Sequence, residues 1–220
     1  MENLLIFLGN INVIFYILGY LIGGIPFGFV MMKVLYKVDI TKEGSGGIGA
    51  TNVCRVAKGL DPQRAKRLGS ICLLLDLFKG IVPVLASKMA GLNFEAQWMV
   101  AILTIIGHCY SPYLNFKGGK GVSTTMGAVL LLIPIESLIG LTLWAIIGKG
   151  LKISSLASIA GVGLATLLVF FLPSWGIPAS VNILHEVGTP TPMVLVFVFT
   201  LYKHWSNLLN LLSGREKKIL

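Results

Sequence analysis

The chain has 220 residues, of which 55% are apolar and only 12% are charged, and its mean hydropathy is +0.84. A soluble globular domain carries about 25% charged residues, so the composition excludes that class. The apolar runs are continuous and do not alternate, which argues against a membrane β-barrel. We therefore expect an all-α integral membrane protein in which residues 1–220 form a single membrane-embedded domain.

Apolar runs that approach the roughly 20 residues of a full membrane span divide the chain. The first runs from about Ile11 to Met32, and no basic segment precedes it, so we expect a retained helix and not a cleaved signal peptide. Further spans are predicted to cover about residues 68–89, 97–108, 153–172 and 193–202. Residues 173–192 hold four prolines and no lysine or arginine, which is typical of a loop on the outer side.

The apolar run Val122 to Gly148 has two lysines before it and two after it, so both of its ends are expected in the cytoplasm. It must then cross the membrane an even number of times, and Pro134 marks the predicted turn between two short helices. This gives a seven-helix bundle with the amino terminus outside and the carboxyl terminus in the cytoplasm. A version with five spans, in which the two short helices are re-entrant, keeps the same orientation.

In both versions, sixteen of the eighteen lysines and arginines lie on the predicted inner side. The positive-inside rule therefore accounts for the net charge of +9, and we expect no nucleic-acid partner. Cys54, Cys72 and Cys109 show no metal-ligand spacing, so neither a metal site nor a disulfide framework is expected.

Two polar, glycine-rich loops interrupt the apolar sequence on this inner side. The first loop covers Gly44 to Asn52 and is followed by Arg55, and the second covers Asn115 to Thr124. Glycine lets backbone N–H groups come close to a ligand, while lysine, arginine and hydroxyl groups add charge and donors. Neither loop is a nucleotide motif, because the first lacks a βαβ unit and the second lacks the Walker Ser or Thr. The loops predict a phosphate-bearing ligand at the membrane surface.

Other polar residues lie near these loops or inside the spans. His108 ends a predicted span directly before the second loop, and His204 and Asn207 are three residues apart, so they share a helix face. Asp76 and Lys79 have the same spacing inside a span. A charged pair there needs a partner and a place in the bundle interior, so we interpret it first as a structural ion pair and second as part of the site.

Together these motifs resemble the bacterial acyl-phosphate:glycerol-3-phosphate acyltransferases of the PlsY type, over nearly the whole chain. The resemblance rests on both glycine loops and on residues 73–80, 107–108, 155–158 and 204–216. The chain departs from the family in two places. Gly47 stands where the family usually has Asn, and Trp205 stands where it usually has a second basic residue after the histidine.

The resemblance implies a seven-helix membrane bundle that acylates the 1-position of glycerol 3-phosphate with acyl phosphate, giving 1-acylglycerol 3-phosphate (lysophosphatidic acid) and inorganic phosphate. No cofactor is expected, and no metal is expected because the acids on the inner side, Asp39, Glu43, Asp61 and Glu216, show no ligand-like clustering. The implied partners are acyl phosphate, glycerol 3-phosphate, membrane lipid and, functionally, an enzyme that produces acyl phosphate. The implied location is the bacterial inner membrane, with the active site on its cytoplasmic face.

The resemblance also assigns residues to roles. It places the phosphate of acyl phosphate in the second loop, and glycerol 3-phosphate at Ser45, Arg55, Lys120, His204 and Asn207. The catalytic candidates are Ser45, Lys120 and His204. The candidate substrate-binding residues are Gly44, Ser45, Thr51, Asn52, Arg55, His108, Lys117, Gly118, Gly119, Lys120, Gly121, Ser155 and Asn207.

Acyl phosphate is already activated, so no acyl-enzyme nucleophile is required, and the alcohol needs only to be positioned and to lose a proton. Either the leaving phosphate or His204 takes that proton, and the sequence leaves both open. A transporter or channel for an organic phosphate is a competing hypothesis from another class, although no inverted repeat is visible. A purely structural membrane protein is a third, and it leaves Ser45, Arg55 and the two loop lysines unexplained.

Overall fold

The structure, a computed structural model, describes residues 9–176 and 178–216, and within these ranges the regular structure is helical. This confirms the predicted all-α class. The α-helices are α1 (Ile11–Gly24), α2 (Phe27–Tyr36), α3 (Ala50–Leu60), α4 (Pro62–Met89), α5 (Phe94–Cys109), α6 (Val122–Leu130), α7 (Pro134–Gly150), α8 (Ser154–Phe171), α9 (Ile183–Glu186), α10 (Thr191–Lys203) and α11 (Trp205–Leu212). Short 3-10 helices cover Ile40–Lys42, Pro112–Leu114, Leu172–Trp175 and Ala179–Val181.

Three stretches are long and apolar enough to cross a membrane, namely Ile11–Tyr36, Pro62–Met89 and Ser154–Trp175. Helices α5 and α10 are apolar but shorter. Many large apolar side chains on these helices are exposed, as they are on a surface that faces lipid. The seven crossings and the orientation of the termini stay predictions.

The helix boundaries correct the sequence-based expectations in two places. The predicted first span is broken between α1 and α2, because Pro26 precedes α2 and cannot continue α1. The basic stretch after it contains a helix, α3, that periodicity arguments over apolar runs overlooked. Its buried face is short, consisting of Asn52, Val53 and Ala57. The predicted turn near Pro134 is correct, since α6 ends at Leu130 and α7 begins at Pro134.

Glycines bring the helices of the bundle into close contact. A Cβ atom at Gly127 in α6 would collide with the carbonyl oxygen of Leu77 in α4. A Cβ atom at Gly107 in α5 would likewise collide with the carbonyl oxygen of Tyr20 in α1. Small residues of this kind are what allow membrane helices to pack backbone against backbone.

A buried ion pair joins α4 to the break between α1 and α2. The Lys79 Nζ lies 2.9 Å from the Asp76 Oδ1, and both side chains are buried. The same Nζ donates a hydrogen bond of 2.7 Å to the carbonyl oxygen of Ile25, which the end of α1 leaves without a helical partner. The predicted ion pair is therefore present, and its Asp76 also lines the cavity described below.

We expect Gly127→Ala to destabilise the protein by about 1–3 kcal/mol, because the added methyl group must push α6 away from α4. Thermal unfolding of the purified protein in detergent measures the effect. Gly59→Ala in α3 is the matched control, since a Cβ atom at Gly59 meets no atom within 4 Å. Equal melting temperatures for the two variants would contradict the proposed close packing.

Candidate active site

A cavity of about 560 Å³ brings together both glycine loops, the start of α8 and the carboxyl-terminal segment. Of the residues predicted from the sequence, it is lined by Gly44, Ser45, Thr51, Asn52, Arg55, His108, Gly118, Gly119, Lys120, Gly121, Ser155, His204 and Asn207. Lys117 does not line the cavity. Its side chain is exposed, and the backbone of the loop there pairs Lys117 with Ser111.

Four helices begin at this cavity. The amino-terminal turn of a helix carries N–H groups without helical partners and a partial positive charge, so it attracts anions. None of these four helices has a side chain that caps its first N–H groups. The lining residues in their first turns are Ala50 and Thr51 of α3, Val122 and Ser123 of α6, Ser154 and Ser155 of α8, and Ser206 and Asn207 of α11.

Cations also outnumber anions in the lining. The lysines and arginines of the lining are Arg55, Lys120, Lys203 and Arg215, and its acids are Asp76 and Glu216. Asp76 is already paired with Lys79. Lys203 lies over the ring of Tyr110, with its Nζ 4.3 Å from the ring centroid. The cavity lining thus carries an excess of positive charge, which favours anionic ligands.

Asn52 holds the first glycine loop in shape. Its Oδ1 accepts a hydrogen bond of 2.9 Å from the N–H of Ser45, and its Nδ2 donates to the carbonyl oxygens of Gly47 at 2.8 Å and Glu43 at 3.0 Å. A Cβ atom at Gly44, where φ is +62°, would collide with the Asn52 Oδ1. The Asn52 side chain therefore sets the path of the loop that carries Ser45 into the cavity lining.

The second loop lies on the end of α5. The N–H of Gly119 donates to the carbonyl oxygen of His108 at 3.1 Å. Gly121 has a φ of +82° and immediately precedes α6, so the chain turns into the helix at a residue without a Cβ atom. A side chain at Gly118 or Gly121 would meet α5 residues. Glycine is needed here for the backbone to stay close to α5.

A hydrogen-bond chain closes the cavity from the carboxyl-terminal side. The Lys120 Nζ donates to the Asn207 Oδ1, and the Asn207 Nδ2 donates to the Glu216 Oε1 at 2.7 Å. The same Glu216 oxygen accepts a hydrogen bond of 2.6 Å from Ser155. Partial burial lowers the pKa of Lys120 from its ordinary value, and the Glu216 carboxylate partly offsets this effect. The second loop, α8 and α11 are thereby joined around one carboxylate.

His204 is buried at the junction of α10 and α11, with 2% of its surface exposed. Its Nδ1 lies 2.9 Å from the carbonyl oxygen of Thr200. Since a carbonyl oxygen only accepts, Nδ1 carries the proton. Burial lowers the pKa of His204 to about 4, so the ring is neutral at physiological pH and its Nε2 is a hydrogen-bond acceptor.

Sequence reasoning did not select every residue of this site. Lys203, Arg215 and Glu216 line the cavity beside His204 and Asn207. The signal that could have found them was their position in the same short polar tail. Trp144 also lines it, from within α7, and so does Asp76 of α4, for which the sequence analysis gave a place in the site as its second interpretation. Within the described residues, no group of three or more His, Cys, Asp or Glu side chains could hold a metal ion.

Comparison with known proteins gives one family. Residues 13–214 match the family model described as glycerol-3-phosphate acyltransferase. The chain is 66% identical over 220 residues to the glycerol-3-phosphate acyltransferase of Helicobacter pylori strain ATCC 700392 / 26695, with 100% of both chains covered. It is 44% identical over 214 residues to that of Wolinella succinogenes, with 97% of this chain and 99% of the relative covered.

Solved structures of PlsY (YgiH), an integral membrane glycerol 3-phosphate acyltransferase, are also similar. The glycerol 3-phosphate form has a TM-score of 0.77 and 33% sequence identity, with 94% of each chain covered. The lysophosphatidic acid form has a TM-score of 0.75 and 32% identity, with 94% of each chain covered.

We expect Asn52→Asp to loosen the first loop, because the Nδ2 donor becomes an oxygen that faces two carbonyl oxygens. The loss of these bonds should cost about 1–3 kcal/mol of stability. Thermal unfolding in detergent and the rate of tryptic cleavage after the exposed Lys42 would measure it. The control, Asn210→Asp, adds the same charge to the cavity wall at a residue with no side-chain hydrogen bond to other described residues. Equal effects of the two changes would contradict the role of Asn52.

Proposed function

Because the chain belongs to the glycerol-3-phosphate acyltransferase family of PlsY-type membrane enzymes, we propose that it uses acyl phosphate to acylate the 1-position of glycerol 3-phosphate. The products are 1-acylglycerol 3-phosphate and inorganic phosphate. The observation that carries this proposal is the cavity in which four helix amino termini and four cationic side chains meet. Two substrates that each bear a phosphate group match that excess of positive charge.

The acyl-phosphate side of the site is the second loop. Gly118, Gly119 and Gly121 keep its backbone close to α5, and the uncapped first turn of α6 lies in the cavity lining. Such an arrangement binds phosphate through backbone donors. Lys117, exposed outside the cavity, contributes to this site only through its position in the loop.

The glycerol 3-phosphate side is the first loop with the carboxyl-terminal segment. Arg55 binds the phosphate, and Ser45, His204 and Asn207 hold the phosphate and hydroxyl groups. The remaining first-loop residues of the site, Gly44, Thr51 and Asn52, shape that wall. Thr51 lies 3.2 Å from Ser154, the neighbour of Ser155, through their hydroxyl groups. Lys120 lies between the two sides, because it belongs to the second loop and bonds to Asn207.

In the reaction, the oxygen of the 1-hydroxyl group forms a bond to the acyl carbon, and the bond from that carbon to the phosphate oxygen breaks. Lys120 and the N–H groups of the second loop stabilise the charge that develops on the carbonyl oxygen and the leaving phosphate. The proton of the hydroxyl group passes to the leaving phosphate. A histidine with a pKa of about 4 is a weak base, so His204 orients the hydroxyl group through its Nε2 acceptor.

We further propose that the enzyme spans the bacterial inner membrane seven times, with this cavity on the cytoplasmic face. The clustering of lysine and arginine beside both loops supports this orientation. The acyl phosphate would then come from an enzyme on the same side, and the acylated product would remain in the lipid layer.

The direct test uses purified protein in detergent with palmitoyl phosphate and glycerol 3-phosphate, and follows phosphate release. We expect release that needs both substrates. Lys120→Ala and Ser45→Ala should each reduce kcat/KM, the former by about tenfold or more because a hydrogen bond to a charged group is lost. Lys58→Ala, an exposed lysine outside the cavity lining, is the control and should leave kcat/KM unchanged. No release from folded protein would contradict the proposal and favour a transporter, because detergent leaves no compartments to transport between.

His204→Gln keeps a hydrogen-bond acceptor but removes the imidazole. We expect it to lose far less than the 10²-fold or more that removal of a general base costs. We also expect wild type and variant to share the same profile of kcat/KM between about pH 5 and 8, because His204 stays neutral above its pKa of about 4. His185→Gln, outside the cavity lining, is the control. A His204-dependent fall in activity on the acid side of this range would make His204 the base.

A further inference from the structure

His108 lies directly beneath the second glycine loop. Its side chain is 3% exposed, yet it forms part of the cavity lining. A Cβ atom at Gly119 would collide with the Nε2 of its ring. The absence of a side chain at Gly119 therefore lets the ring pack against the loop backbone, and the Nε2 of His108 lies beside Gly119 in the cavity lining.

The opposite edge of the ring is fixed by two other helices. The His108 Nδ1 lies 3.1 Å from the Thr124 Oγ1 in α6 and 3.6 Å from the Asp76 Oδ1 in α4. Asp76 is held in turn by Lys79. Within residues 9–176 and 178–216, Nδ1 has these neighbours while Nε2 has no hydrogen-bond partner. One ring nitrogen is thus anchored and the other is available.

We propose that the Nε2–H of His108, beside Gly119, donates a hydrogen bond to the phosphate group that the second loop holds. The Asp76 carboxylate only accepts, so it keeps a proton on Nδ1, and Nε2 donates when the phosphate group on the other side of the ring holds a second proton there. A doubly protonated ring, with Asp76 facing Nδ1, carries a proton on Nε2 as well. The identification of this phosphate group as that of acyl phosphate rests on the proposed function.

The proposed hydrogen bond explains three features. Binding of phosphate by the backbone N–H groups of the loop alone does not explain them. A polar ring is buried under a phosphate loop, a carboxylate inside the bundle points to the outer edge of that ring, and the loop has no side chain at the point of contact. A ring that served only as a support would need neither an anchored orientation nor an unpartnered nitrogen at the cavity.

Two variants of His108 test the roles of its two ring nitrogens separately. The amide nitrogen of Gln reaches the position of Nε2, while that of Asn reaches the position of Nδ1. We expect His108→Gln to bind inorganic phosphate within about threefold of wild type, and His108→Asn to bind it about tenfold more weakly. Isothermal titration of the purified protein in detergent with inorganic phosphate measures both.

In the turnover assay with palmitoyl phosphate, His108→Asn should raise the KM for the acyl donor by a similar factor. The KM for glycerol 3-phosphate should change by less than about twofold, because that substrate lies at the other loop. Equal phosphate affinities for the two variants would overturn the proposal. So would a loss of kcat at unchanged KM in His108→Gln, which would indicate that the ring transfers a proton.

A second pair of variants keeps the proposal testable if His108→Asn does not fold. The methyl group of Gly119→Ala collides with the ring, and His108→Ala combined with Gly119→Ala removes the collision. We expect the double variant to regain thermal stability but not phosphate affinity. Recovery of both would show that the ring is only a support. Phosphate binding does not require turnover, so a wild type that binds phosphate but releases none from acyl phosphate would count against the proposed donor and not against His108.

Discussion

The bilayer restricts where a helix can end, because its interior offers no water to the N–H and C=O groups that a helix end leaves unpaired. This protein meets the restriction in two ways. Where α1 ends, the buried Lys79 supplies a donor to the carbonyl oxygen of Ile25. Four other helices begin at one cavity, where a ligand can accept from their unpaired N–H groups. The proposed anion site follows from the collection of these helix ends in one place.

Two kinds of polar side chain form the walls of that cavity. Some are hydrogen-bonded to other protein groups, and the others are available to substrate. The side-chain amide of Asn52 forms hydrogen bonds with the backbone of the first loop, and the Glu216 carboxylate accepts hydrogen bonds from Ser155 and Asn207. These groups are positioned before any ligand binds, which lowers the entropy lost on binding. The same logic places His108 on a fixed axis between Asp76 and the second loop.

Much of this could be predicted from the sequence. Apolar runs gave most helix positions, the proline at 134 gave a turn, and the two glycine loops gave the site, since glycine and charge in an apolar chain are local signals. The motifs also gave the family, which the comparisons confirm. What escaped prediction depends on contacts between distant residues. The position of His108 under Gly119 and the bond from Glu216 to Ser155 follow from helix packing, and no spacing along the chain encodes them. Helix α3 escaped because it is amphipathic with many polar residues, and so forms no continuous apolar run of the kind that marked the other helices.

The cavity wall is assembled from segments that span most of the chain, from the first loop at Gly44 to Glu216 in the tail. A fragment that lacks either segment lacks part of the cavity wall, so the remaining part does not form a site by itself. A detergent or lipid mixture that separates the helices slightly, without unwinding them, would therefore abolish the site while the helix content stayed constant. Circular dichroism would report an intact protein in such a preparation, and ligand affinity would be the more faithful measure of its tertiary structure.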